Sequence, residues 1–150
     1  MHRRLFITGL MTVSPTAQAL AAEGAVRTNA EIIRSFVDAW SRLDPDELAS
    51  FFAEDGVYHN IPSGPVKGRR AIRDFITVFT KGWTSTQWDL LSLVSEGDVV
   101  VAERLDRTRL GDKAVDLPCC GVFHLENGKI KVWRDYFDLA TYTRAFAPPG

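Results

Sequence analysis

Between Asn29 and Leu43, the residues Ile32, Ile33, Phe36, Val37, Trp40 and Leu43 recur every three or four positions, with polar residues between them. That spacing predicts a helix with one apolar face, capped by Thr28 or Asn29. Leu48, Phe51 and Phe52 predict a second helix that ends before Gly56. Its start is sharply marked: Asp44 as N-cap, Pro45 at the first helical position, and Asp46 and Glu47 beside the positive helix end. A short strand is expected from Val57 to Ile61, broken by Pro62, Gly64 and Pro65. A third helix is expected from Arg69 to Thr80, with Ile72, Phe75, Ile76 and Phe79 on one side and Gly82 past its end.

Beyond Gly82 the period changes to two. Strands are predicted over Trp83 to Ser95, Val99 to Leu110, Ala114 to Leu125 and Ile130 to Asp138. Glu96-Gly97-Asp98, Gly111-Asp112-Lys113 and Asn127-Gly128 supply the tight turns between them. Pro118 predicts a bulge or an edge position, because proline cannot donate to a ladder. Leu139 to Phe146 adds a final helical turn. Helices first and then a mostly antiparallel meander is an α+β pattern, with helices on one face of a curved sheet and a pocket between them. The architecture it resembles is the cone-shaped nuclear transport factor 2-like (cystatin-like) fold.

The chain has 150 residues, 45% of them hydrophobic and 25% charged, which suits one domain with a sizeable core rather than two. Its formal net charge of −1 lacks the basic excess that nucleic acid or an acidic membrane surface calls for. No apolar run reaches the roughly 20 residues that span a bilayer.

Residues 1–22 have a different character. A positive head (Met1-His2-Arg3-Arg4), a mostly apolar run from Leu5 to Val13, and the small residues of Ala17-Gln18-Ala19 are laid out as a bacterial export signal. Arg3-Arg4-Leu5-Phe6-Ile7 resembles the twin-arginine pattern. The expectation is therefore a leader over 1–22, a mature domain over 23–150, and a periplasmic or secreted location. Without the leader, 16 basic residues face 19 acidic ones, a charge of −3. Cys119 and Cys120 are adjacent, so on a strand they face opposite ways, and both are expected to be buried free thiols.

Alternation sorts the polar residues of the strands. Val100, Ala102, Arg104, Asp106 and Thr108 share one face, and Val101, Glu103, Leu105, Arg107 and Arg109 share the other, which carries more charge. Trp133, Asp135 and Phe137 share a face, as do Tyr58 and Asn60. Taken singly, each has an ordinary explanation. Arg-x-Asp is usually a surface ion pair, an acid between aromatic rings can be a satisfied core residue, and Tyr-x-Asn can complete a strand end.

Together they carry a resemblance. Tyr58-His59-Asn60-Ile61-Pro62, Glu103-Arg104-Leu105-Asp106, Gly121-Val122-Phe123, Gly128-Lys129-Ile130 and Trp133-Arg134-Asp135-Tyr136-Phe137-Asp138 resemble the limonene-1,2-epoxide hydrolase family over about residues 28–146. The resemblance implies a site of Arg104, Asp106, Asp135, Tyr58 and Asn60, and no position departs from the pattern. Asp135 would take a proton from a water held by Tyr58 and Asn60. Asp106 would protonate the epoxide oxygen, and Arg104 would bridge the two acids. The implied partners are a small apolar or terpene-like epoxide and water, with no cofactor or metal, no nucleic acid and no membrane. A homodimer through the outer sheet face is also implied, and Val101 and Leu105 point the same way. The departure is the leader, which is unexpected in a family usually thought of as cytoplasmic.

Elementary electrostatics supports an acid–base pair independently. Two carboxylates around one guanidinium carry a net −1 when both are ionised, and one proton neutralises the group. Two alternatives stand beside it: an isomerase resembling ketosteroid isomerases, against which Arg104 argues, and a non-catalytic ligand-binding module.

Overall fold

The structure, a computed structural model, describes residues 26–147, so the expected leader lies outside the described residues. Helix α1 (Asn29–Ala39) begins at Thr28, whose hydroxyl accepts from the Glu31 N–H while the Glu31 carboxylate accepts from the Thr28 N–H. This reciprocal cap stabilises the helix by about 1 kcal/mol. The helix is shorter than the apolar pattern predicts. At Trp40–Arg42 it tightens into a 3-10 turn, and Leu43 takes a left-handed backbone conformation (φ 50°) that redirects the chain. Helix α2 (Pro45–Ser50) has Asp44 as N-cap, its side chain accepting from the N–H groups of Asp46 and Glu47.

The chain departs most from its local pattern immediately after α2. Strand β1 runs from Phe52 to Asn60, five residues earlier than the pattern suggests. Gly56 does not terminate a helix; it lies in the strand, where the register slips between Phe52 and Val57. A side chain there would crowd the carbonyls of Ala53 and Ile130. Helical spacing of Leu48, Phe51 and Phe52 is thus overridden by strand pairing. A two-residue strand β2 (Val66–Lys67), unseen in the sequence, pairs with β1 before helix α3 (Arg69–Phe79).

The meander comprises β3 (Ser85–Glu96), β4 (Val99–Leu110), β5 (Lys113–Glu126) and β6 (Lys129–Phe137), followed by helix α4 (Leu139–Phe146). Trp83 belongs to the turn before β3, its N–H bonded to the Thr80 carbonyl. The six strands lie in the order β2-β1-β6-β5-β4-β3. All neighbours are antiparallel except β1 and β6, so the curved sheet is mixed.

Pro118 makes no bulge, and β5 is an interior strand whose ladder with β4 is unbroken from Val99↔His124 to Leu110↔Lys113. Its pairing with β6, however, begins only at Cys119↔Phe137. At Pro118, therefore, only one side of β5 has a strand partner, and a residue without an N–H is tolerated there.

The helices pack on one sheet face. Ile33, Phe36 and Trp40 of α1 and its 3-10 extension are fully buried against Phe52, Phe123 and Trp133. Phe36 meets Trp133 edge to face at 5.1 Å. Each such side chain contributes about 1.5–3 kcal/mol on burial. A smaller cluster of Val115, Leu117 and Cys119 lies at the other end of β5, covered by Phe137 and by Tyr142 and Phe146 of α4. Between the two clusters the same sheet face turns polar.

Candidate active site

Strand alternation delivers five polar side chains to one buried place. On β4, Arg104 and Asp106 are separated by Leu105 and so face the same way, inward. On β6, Asp135 follows Trp133 by two residues. On β1, Tyr58 pairs with Trp133 and Asn60 with Asp135 in parallel register. The β4–β5 and β5–β6 registers bring Arg104 opposite Cys119, and Gly121 opposite Asp135. All five predicted residues are buried: Arg104 0%, Tyr58 2%, Asp135 4%, Asp106 6% and Asn60 6% exposed.

The Arg104 guanidinium holds both acids. Its Nε donates to Asp106 Oδ1 at 3.1 Å and its Nη2 to Asp106 Oδ2 at 3.0 Å. Nη2 also donates to both oxygens of Asp135, at 3.1 and 2.9 Å. Its central carbon lies 4.5 Å from the centre of the Trp88 ring and 5.7 Å from that of Trp133. A desolvated cation on an aromatic face gains about 2 kcal/mol. Removing one partner of a buried ion pair costs roughly 3–5 kcal/mol, since the other charge is left uncompensated. Trp88 is itself stacked on Trp40 at 4.2 Å, so the cation rests on a column that reaches the helical layer.

Burial pushes the Asp135 carboxyl above the usual carboxylate range, and Arg104 offsets this only in part. Burial also opposes the Arg104 charge, but Asp135 and Asp106 outweigh it and keep the guanidinium protonated. The Tyr58 phenol is raised by burial and then by Asp135, so it stays a hydrogen-bond donor at neutral pH. It is stacked on Trp133 at 4.2 Å, nearly parallel. Asn60 Oδ1 finds no donor among the described residues. A buried acceptor beside two acids is suited to receive a hydrogen bond from a small polar molecule.

Tyr58, Asn60, Asp106 and Asp135 form the polar floor of a pocket of about 380 Å³, its open mouth included. Arg104 lies behind that floor. Asp106, Asp135 and Cys119 offer ligand atoms within 4.8 Å of one another, the spacing of a metal site. The position between the two carboxylates already carries the Arg104 cation, so these residues are not arranged to receive a second one.

Residues to which the sequence assigned no role also belong here. Trp88 supports Arg104, Phe79 and Tyr142 border the pocket, and Gly121 leaves space for the guanidinium. A glycine inside a predicted strand is a signal of close approach and points to Gly121. Cys119 is a buried free thiol, raised by burial and then by Asp106 and Asp135, so it is neutral. Cys120 departs from expectation. It faces outward between Glu103 and Tyr136 and is only half-buried, because the face opposite Cys119 is the solvent face.

Comparison with known proteins bears on the family and the fold. The sequence model of the limonene-1,2-epoxide hydrolase catalytic domain matches residues 27–147. Epoxide hydrolase EphG of Mycobacterium tuberculosis (strain ATCC 25618 / H37Rv) is 28% identical over 107 residues, which is 71% of this chain and 71% of that protein. The structure of an M. tuberculosis LEH-like epoxide hydrolase superposes with a TM-score of 0.68 at 26% identity, covering 77% of this chain and 86% of that one. A hypothetical protein with a ketosteroid isomerase-like fold from Catenulispora acidiphila DSM 44928 gives a TM-score of 0.73 at 20% identity, covering 81% of this chain and 96% of that one. The last likeness is one of fold alone.

Proposed function

The chain belongs to the limonene-1,2-epoxide hydrolase family, and from that premise we propose that it adds water to a small apolar epoxide to give a vicinal diol in one acid–base step. The observation that carries this reading is the Arg104 fork on two buried carboxylates. Ionised together they would leave a net −1 in a dry site, so the pair takes up one proton and presents an acid and a base at once.

In the proposed step Tyr58 and Asn60 hold the water, the phenol donating and the amide oxygen accepting. Asp135 removes one water proton as the oxygen attacks an epoxide carbon. The C–O bond on that carbon breaks, and Asp106 delivers its proton to the departing oxygen. Proton exchange between the carboxyls then restores the starting state. Burial disfavours the Asp135 carboxylate, so its ionised form is a strong base, and the step runs from the form in which the shared proton sits on Asp106. An isomerase would need an isolated base, which a shared guanidinium does not favour.

Single turnover in ¹⁸O-water tests the scheme. The label is expected in the diol and not in a carboxylate of the protein. Label found in Asp106 or Asp135 would replace the one-step mechanism by a covalent one, and a protein that only binds epoxide would yield no diol.

We also propose a homodimer through the outer sheet face. Val94 and Tyr136 are exposed there, and Val101 and Leu105 half-buried, an apolar surface of the kind a second copy covers. Light scattering at micromolar concentration checks this, with twice the chain mass expected. The sequence of residues 1–22 supports export by the twin-arginine route. Replacing Arg3 and Arg4 by lysine, which keeps the charge but loses the guanidinium geometry, is expected to retain the uncleaved chain in the cell.

A further inference from the structure

The pocket walls restrict what the site can take, and the inference rests on the epoxide hydrolase reading above. Among the described lining residues the charged ones are Asp106 and Asp135, both on the floor. The Arg104 cation is fully buried behind them and is occupied by the two acids. An anionic substrate would find no accessible cation and would face at least one carboxylate, and a cationic one would meet carboxylates already paired with Arg104, which favours a neutral substrate. The wall groups able to hydrogen-bond are largely spoken for. Thr108 pairs with Thr86, and the Trp88 Nε1–H donates to the same Thr86 hydroxyl. A polyhydroxylated substrate would lose hydration without replacement.

An apolar tail satisfies both restrictions, and the walls are mostly aromatic: Phe79, Trp83, Trp88, Phe137 and Tyr142. Two of these rings, Phe79 and Tyr142, stack with Phe75 behind them in a column, with centroids 5.6 and 5.9 Å apart and planes within 21° of parallel. Trp83 closes on the edge of Phe79 at 5.1 Å. The space these side chains border amounts to about 380 Å³, its opening included. Against such walls a flat ring gains offset or edge-to-face contacts that a puckered saturated ring cannot make.

We propose that the substrate is a neutral aryl-substituted oxirane, its ring between Phe79, Trp83, Phe137 and Tyr142 and its oxirane on Asp106 and Asp135. Each aromatic contact amounts to roughly two- to tenfold in affinity beyond that from burial alone.

The test compares kcat/KM for phenyloxirane, its saturated match cyclohexyloxirane, a para-carboxylated phenyloxirane and limonene oxide. Because a benzylic C–O bond opens intrinsically faster, rates are divided by those of uncatalysed hydrolysis; on that scale phenyloxirane is expected to exceed cyclohexyloxirane about tenfold and its carboxylated analogue by at least as much. Tyr142→Leu is expected to bring the phenyl-to-cyclohexyl ratio toward one. Equal or better turnover of cyclohexyloxirane, of the carboxylated compound or of limonene oxide overturns the aryl assignment and leaves epoxide hydrolysis standing. An unchanged ratio in Tyr142→Leu overturns it too. No diol from any of the four removes the hydrolase reading itself.

Discussion

Gly121 lies against Arg104: a Cβ on its backbone would stand 2.7 Å from Arg104 Nη1, closer than any real contact allows. The same Cβ would meet the Phe123 ring at 2.7 Å and Trp133 Nε1 at 2.9 Å, so there is no direction in which to relax freely. The missing side chain is what seats the guanidinium between its two acids.

Gly121→Ala should therefore lower kcat about tenfold or more with a smaller change in KM. Displacing the cation also raises the carboxyl pair, so the acid limb of the pH–rate profile should move to higher pH. Circular dichroism and denaturant titration establish the folded fraction. A loss of activity that tracks only that fraction, with an unmoved acid limb, would sink the assignment. Should the variant not fold, Trp88→Leu loosens the other side of the guanidinium and should shift the limb the same way.

Asp106→Asn and Asp135→Asn should each reduce turnover by at least about 10²-fold, the lower range for a positioned acid or base. Asparagine is nearly isosteric, so the fold should survive. Wild-type-like turnover in either variant would remove the mechanism. Tyr58→Phe should be milder, because Asn60 still holds the water.

The raised Asp135 carboxyl also makes a stability prediction. Folded Asp135 binds its proton more tightly than the unfolded chain, whose carboxyl titrates near ~3.9. Between that value and the raised folded one, the native state carries the extra proton. This contribution is present in full below the unfolded value and is lost as pH rises through the folded one. Denaturant midpoints measured across this window should show a downward slope with pH that Asp135→Asn flattens. An identical slope in both proteins would refute the assignment.

The two adjacent thiols should differ in reactivity. Cys119 is buried and held neutral beside two acids, whereas Cys120 is half-buried on the outer face. At neutral pH, and diluted until light scattering shows single chains so that no second copy covers the outer face, the protein should be labelled by iodoacetamide at Cys120 well before Cys119, because the thiolate is the reactive form. Peptide mapping after limited alkylation checks the order; preferential labelling of Cys119 would contradict it.

Much of this molecule was legible in the sequence where one rule acted alone. Alternation put Arg104 with Asp106, Tyr58 with Asn60, and Asp135 with Trp133, and each pair does share the buried face. Asn127-Gly128 marked its hairpin because both residues adopt positive φ, which most side chains resist. The errors arose where local and distant effects competed. Phe52 satisfies a helical period but pairs with Ile130, and a ladder formed with a strand far along the chain leaves no trace in a local window. The pocket walls were hidden for a similar reason: Phe79 and Tyr142 meet only because α3 and α4 converge over one end of the sheet.

The parallel pairing of β1 with β6 fixes when this site comes into being. Asn60 and Asp135 are cross-strand partners, yet they are separated by the whole meander. During synthesis Tyr58 and Asn60 emerge before Asp106, and the residue that opposes Asn60 emerges after it. Until β6 is inserted, β5 and β1 each lack a neighbour, and Arg104 has only one of its two acids. Such long-range closure is slow compared with local helix formation. A chain folded only as far as β5 thus holds no completed Arg104–Asp106–Asp135 group, and that group is completed in one step together with the closing of the sheet.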